Sequence, residues 1–147
     1  MIQQAKEGHC VAMLWPGQMG MLNKKIAIKK QEDVCLKEQR LQSFEVINPL
    51  PVSFDEGIAD FSAFTANAGT VAYDKFLDAV QPDVIHVHTL MGLHKSFLQA
   101  AKRRRIRLIF TAHDFFPVCP KVTMFRHGVI AAIVKIVKSV VCAMQRH

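Results

Sequence analysis

Between residues 83 and 111 the chain spells an apolar run, a helical stretch and a second apolar run, and this succession narrows the choice of fold more than any other feature. Residues 83–87, DVIHV, are nearly all apolar apart from Asp83 and His86. Residues 93–104 read as helical, and residues 108–111, LIFT, are rich in β-branched and aromatic side chains. Strand, helix and strand within about thirty residues is the length of a βαβ unit, whose parallel strands are joined by a right-handed crossover. The expectation is an α/β fold: a doubly wound, Rossmann-like parallel sheet flanked by helices.

Val71, Phe76, Leu77 and Val80 have helical spacing, which predicts a helix over 70–80, stopped by Pro82. Residues 1–6 read as the last turns of a helix, with Gly8 where a helix end favours a left-handed residue. Residues 11–14 read as a short buried strand stopped by WPG at 15–17. Residues 24–34 alternate as a strand does, residues 44–47 form a second short one before the NPLPV break, and residues 55–69 read as irregular.

In open α/β sheets ligands sit beyond the carboxyl ends of the strands. His86 and His88 end one predicted strand, and AHD at 112–114 ends the next. An HxH pair can ligate a metal, since alternate strand residues face one side. A metal-hydrolase reading needs further ligands, and only His113 and Asp114 stand nearby. The plainer alternative packs His86 into the sheet and leaves His88 lining the cleft without chemistry. His94, near the start of the helix, either shapes an anion-binding end or faces water. His113 precedes a carboxylate at a strand end and is placed to act as a polar contact or general acid/base near pH 7.

Charge and cysteines narrow the partners. The net charge is +7, which favours phosphates, nucleic acid or an acidic membrane surface without choosing among them. The basic residues lie in 24–37 and 102–107 with no RNA-binding or helix-turn-helix signature, so nucleic acid is not expected. Cys10, Cys35, Cys119 and Cys142 form no CxxC pair and fit reduced thiols of a cytosolic protein. No signal peptide is read in the polar residues 1–8. The apolar stretch 129–144 is too short, and with Lys135 and Lys138 too charged, to be a good membrane span.

With these motifs in place, the chain resembles the N-terminal domain of family 4 glycosyltransferases, enzymes of the GT-B fold. KEGHCVAMLWPG at 6–17 is similar to the family's first helix end and second strand. QPDVIHVHTLMGLH at 81–94 is similar to its strand with the histidine pair, and RLIFTAHDFFPVCPK at 107–121 to the next strand and loop. The ordered set is more specific than any one motif, and the similarity covers residues 1–128. It implies transfer of a sugar from a nucleotide-sugar donor to a glycan or lipid-linked acceptor, with retention of configuration and without a metal or other cofactor. It further implies a cleft between two Rossmann-like domains, the N-terminal one binding acceptor, and a cytoplasmic location with peripheral contact at the inner face of the membrane. By the same resemblance His113 is the catalytic group near the reacting sugar or its phosphate. His88, Thr89 and Asp114 border the acceptor, and Gly92 lets the helix begin close to a ligand.

Three departures from the family pattern stand out. The opening strand with its glycine-rich loop and the donor-binding C-terminal domain are not found in these residues, and the glycine expected after the crossover helix is replaced in KRRRIR by Arg105. A left-handed arginine there costs about 1 kcal/mol. The expectation is therefore an incomplete N-terminal half of a GT-B fold over 1–128, inactive alone, followed by an atypical apolar and basic tail over 129–147. Codon choices exist for which a shifted frame across 129–145 encodes a cysteine-rich stretch, so the tail is expected to derive from a frameshift. Read as it stands, it forms an amphipathic helix that packs on the sheet or lies on a membrane surface. The competing functional class is a non-catalytic module that binds a glycan or a phosphate.

Overall fold

The computed structural model describes residues 1–53, 58 and 60–113. Asp114, Cys119, Cys142 and the tail expected over 129–147 lie outside the described residues. The element order is α1 (Ile2–Lys6), β1 (Ala12–Pro16), β2 (Ala27–Leu36), β3 (Gln39–Ile47), α2 (Phe61–Thr65), α3 (Thr70–Val80), β4 (Val84–Val87), α4 (Lys95–Arg103) and β5 (Arg107–Phe110). The fold class is mixed α/β.

The βαβ unit forms as its sequence dictates. β4 and β5 pair in parallel with His86 opposite Ile109 and Val87 opposite Phe110, and α4 makes the crossover. α4 buries Ser96, Phe97, Ala100 and Ala101, one stripe at helical spacing, while its basic residues stay outside. α3 buries Tyr73, Phe76 and Leu77. It ends when Gln81 turns left-handed (φ +48°) just before Pro82. Arg103 and Arg104 of the α4 C-terminus bind Asp74 and Asp78 of α3. Arg103 Nη2 lies 2.9 Å from Asp74 Oδ1 and Arg104 Nη2 lies 2.7 Å from Asp78 Oδ1. The Arg104 guanidinium holds the Asp74 carboxyl below its usual range. These exposed pairs fix the register of the two helices more than they stabilise them.

The other ladder corrects the expectation of one parallel sheet. β1 pairs with β3 in parallel, but β2 pairs with β3 antiparallel, giving a mixed three-stranded sheet of order β1-β3-β2 apart from the β4-β5 ladder. The reason is the turn at Lys37 and Glu38, both left-handed (φ +47° and +69°), which folds β2 straight back along β3. Two positive φ values in succession are the mark of a type I′ hairpin, normally supplied by Asn-Gly.

Both ladders rest on the same helices. Phe44 and Val46 of β3, Tyr73, Phe76 and Leu77 of α3, and Phe97, Ala100 and Ala101 of α4 make one core, with Leu14, Ile28, Ile85 and Leu108 packed against it. Fully burying side chains such as Val46 or Leu77 is worth about 1.5–3 kcal/mol each. The apolar runs at 83–87 and 108–111 are not buried throughout. Val84 and Ile109 are 43 % and 46 % exposed, because the helices α3 and α4 cover one face only.

The carboxyl ends of the two ladders converge. Leu50 N–H donates to Gly92 O at 2.9 Å, tying the segment after β3 to the segment after β4. Gly92 has φ +84°, and a Cβ there would stand 2.5 Å from Pro16 Cβ at the end of β1. The glycine is needed for this close approach, so the ends of β1, β3 and β4 meet on one rim.

Arg105 adopts φ +56° as its sequence position suggested. Arg105→Gly is expected to stabilise the fold by about 0.5–1 kcal/mol, the left-handed strain less the extra chain entropy of glycine. Urea unfolding checks it, and a destabilised variant would contradict the account.

Candidate functional site

Three imidazoles gather on that rim. The parallel register sets His88 one step past the Val87–Phe110 pair, and Thr111 N–H donates to Val87 O at 3.0 Å, carrying the ladder on toward His113. His88 Nδ1 and His113 Nε2 lie 2.9 Å apart with their rings inclined by only 16°. His86 stacks on His88 with centroids 4.1 Å apart, and its Nε2 lies 2.7 Å from Thr111 Oγ1. All three histidines are exposed.

A nitrogen-to-nitrogen contact of 2.9 Å between imidazoles is a hydrogen bond, so one ring donates and the other accepts. Two charged rings cannot hold that contact. The His88 pKa is accordingly pushed below its ordinary value, first by loss of solvation and then by repulsion from His86 and His113. The pair can hold or pass one proton at the rim. Among the described residues, no three His, Cys, Asp or Glu side chains converge so as to hold a metal ion.

The remaining site residues fall as follows. Thr89 is exposed, and its Oγ1 accepts from Met91 N–H at 3.1 Å, bracing the turn that follows β4. Gly92 makes the contact with Pro16, a packing demand visible without any ligand. His86 does not pack into the sheet as the plainer alternative had it, because it projects from the uncovered face of β4. His94 differs from both alternatives weighed for it. It is 5 % exposed, and its Nδ1 lies 3.1 Å from the Tyr73 hydroxyl, so it neither faces water nor offers itself to an anion. Two partners carried no sequence signal: Tyr73, one of several apolar positions on α3, and Thr111, which looked like a β-branched strand residue.

Burial holds the His94 pKa below its ordinary value, as His88 is held. Both rings therefore take up protons at lower pH in the folded chain than in the unfolded chain, where protonation sets in below about pH 6.5. Their contribution to stability is therefore whole above that pH and is lost as pH falls. Tm is expected to drop from pH 7 to pH 5, and His94→Gln to remove most of that slope. A profile flat in both proteins would contradict the assignment.

A mixed α/β domain with a histidine pair at the carboxyl rim of parallel strands belongs to the class that binds ligands beyond its strand ends. Within that class the sequence profile of Glycosyltransferase Family 4 matches residues 3–143, and the chain belongs to this family. It is also similar to the "uncharacterized 42.6 kDa protein in cps region" of Klebsiella pneumoniae, with 27 % identity over 56 residues, 38 % of this chain and 15 % of that protein. The chain thus spans a small part of the length of the curated relative it matches. No solved structure matches the chain. Among the described residues no helix is long and apolar enough to cross a membrane.

Proposed function

We propose that the chain supplies the acceptor side of a retaining glycosyltransferase of the GT-B type, in which a sugar passes from a nucleotide-sugar donor to a glycan or lipid-linked acceptor. Membership of family 4 supports the reading, as does the likeness to a protein of a cps region. The single observation that carries it is the His88–His113 hydrogen bond of 2.9 Å at the rim.

In this reading His113 is the catalytic group. Departure of a nucleoside diphosphate concentrates negative charge on a phosphate oxygen, and an N–H held in place beforehand stabilises that charge without reorganisation. His88 fixes the His113 ring, and Thr89, Gly92 and Asp114 are the residues this reading assigns to acceptor binding. Residues 1–128 form the acceptor-side domain, part of a Rossmann-like half, in the cytoplasm at the inner face of the membrane. Residues 129–147 form the frameshift-derived tail, an idea that ends if the gene shows no cysteine-rich frame there.

Transfer requires groups from both walls of the cleft. The purified chain is expected to be silent in transfer and donor-hydrolysis assays alone, and to support transfer once a family donor-binding domain is supplied. Glycan binding with no turnover in either arm would make the site a binding module instead.

A further inference from the structure

Among the described residues β2 is the outer strand of its sheet, so one edge of its ten residues has no neighbour. Lys29, Lys30, Gln31 and Glu32 are exposed along that edge. The strand also carries a bulge. Gln31 stands opposite Ser43 and Val34 opposite Leu41, so Glu32 and Asp33 together face the single residue Gln42. The Arg40 guanidinium holds Asp33 Oδ2, yet Asp33 Oδ1 is buried without a hydrogen bond, and Lys30 Nζ stands 4.0 Å from it. A buried carboxylate oxygen left without a donor calls for an explanation. A pocket of about 410 Å³, bounded by Lys30, Glu32, Asp33 and Arg40, lies at the same point of the edge. Glu32 has no ion-pair partner among the described residues.

Lysines and bulges ordinarily guard an open edge against pairing with other strands. Here the guard is complementary to itself. A two-fold axis through Gln31 sets the β2 strands of two copies antiparallel, and Lys30 of each then meets the bulge of Glu32 and Asp33 in the other. In the same register Ile28 meets Cys35, and Ala27 meets Leu36, which is 40 % exposed in the single chain. We infer that β2 is the interface of a symmetric homodimer, in which two three-stranded sheets join edge to edge and Lys30 of each copy reaches the orphaned Asp33 Oδ1 of the other. Opposite charges directly across from each other favour this register, whereas a two-fold axis through Lys30 or Glu32 would set like charges face to face. A second copy is the partner that fits, because any strand paired here needs lysine and carboxylate in the reverse order, and β2 itself supplies it. The two-fold axis reverses strand direction, so the two histidine rims lie at opposite ends of the dimer and both stay open. The inference goes beyond sugar transfer and stands without it.

Sedimentation velocity of the full chain over a concentration series tests it. One strand pair covers less than the roughly 800 Å² per side of a standard interface, so a monomer–dimer equilibrium in the micromolar range is expected. Lys30→Glu and Glu32→Lys are each expected to weaken dimerisation about tenfold, because each substitution acts twice across the two-fold axis and sets like charges opposite one another. Circular dichroism should not change, since both side chains are exposed. An equimolar mixture of the two variants is expected to form a heterodimer with about the parent affinity, because each chain then meets the opposite charge in the other. A parent chain that is monomeric at every concentration, a dimer indifferent to both substitutions, or a mixture that stays monomeric each overturns the inference.

Discussion

His113→Ala is expected to lower kcat/KM for sugar transfer by about 10²–10³-fold when the chain is assayed with a supplied donor-binding domain, the range for loss of a positioned proton donor or acceptor. The side chain is exposed, and its Nε2 meets the His88 ring. Its removal should therefore leave Tm nearly unchanged, so a loss of rate reads as lost chemistry. His88→Ala is expected to cost less, about tenfold, because His88 holds the reacting ring in place but carries no proton in the step. The two effects should be far from additive, since each variant breaks the same hydrogen bond. A His113→Ala protein within twofold of the parent rate would remove His113 from catalysis. A His88→Ala protein with the larger loss would exchange the two roles.

Parts of this site could be read from the chain because they depend on local rules. The βαβ unit was legible from two apolar runs and one helical stripe, and a parallel register then puts His88 and His113 on one rim although 25 residues separate them. The helix over 70–80 was equally plain, since Pro82 fixes its end. What escaped depends on contacts or turns with no local mark. Lys37 and Glu38 adopt a turn that asparagine and glycine usually make, so neither the antiparallel hairpin nor the full length of β3 could be foreseen. α2 is a five-residue helix capped by Asp60, whose carboxylate accepts from Ser62 N–H at 2.8 Å; its apolar pattern is too short to show periodicity. Asn48 looked like part of a breaker before Pro49, yet its side chain organises the loop over 18–25 through carbonyls 23 and 25 residues away. His94 was judged as a polar residue at a helix start, and only the tertiary fold reveals the hydroxyl that lets it be buried.

That hydroxyl belongs to the residue on which the largest stability effect is expected. Tyr73 has no exposed surface, packs on the Phe97 ring with centroids 5.4 Å apart, and meets His94 Nδ1 at 3.1 Å. Tyr73→Ala is expected to cost about 3–5 kcal/mol, as for other large aromatic truncations, out of a total of about 5–15 kcal/mol for a domain. Tyr73→Phe keeps the packing but leaves the buried imidazole short of a partner, at about 1–3 kcal/mol. A pH test separates the hydroxyl from the ring. Burial pushes the Tyr73 pKa up to about 12, so the folded chain keeps this proton while the unfolded chain loses it near pH 10. The Tyr73 contribution is therefore whole below pH 10 and is lost as pH rises from 10 toward 12. Urea titrations across that window should show the parent losing stability faster than Tyr73→Phe, and parallel curves would show that the hydroxyl is not buried as described. Because His94 ends the 88–94 segment that begins with the rim histidine, Tyr73→Phe should also loosen His88 and lower transfer by a few-fold. A fall in rate without a fall in stability would mean that Tyr73 reaches the site by a route other than the His94 bond.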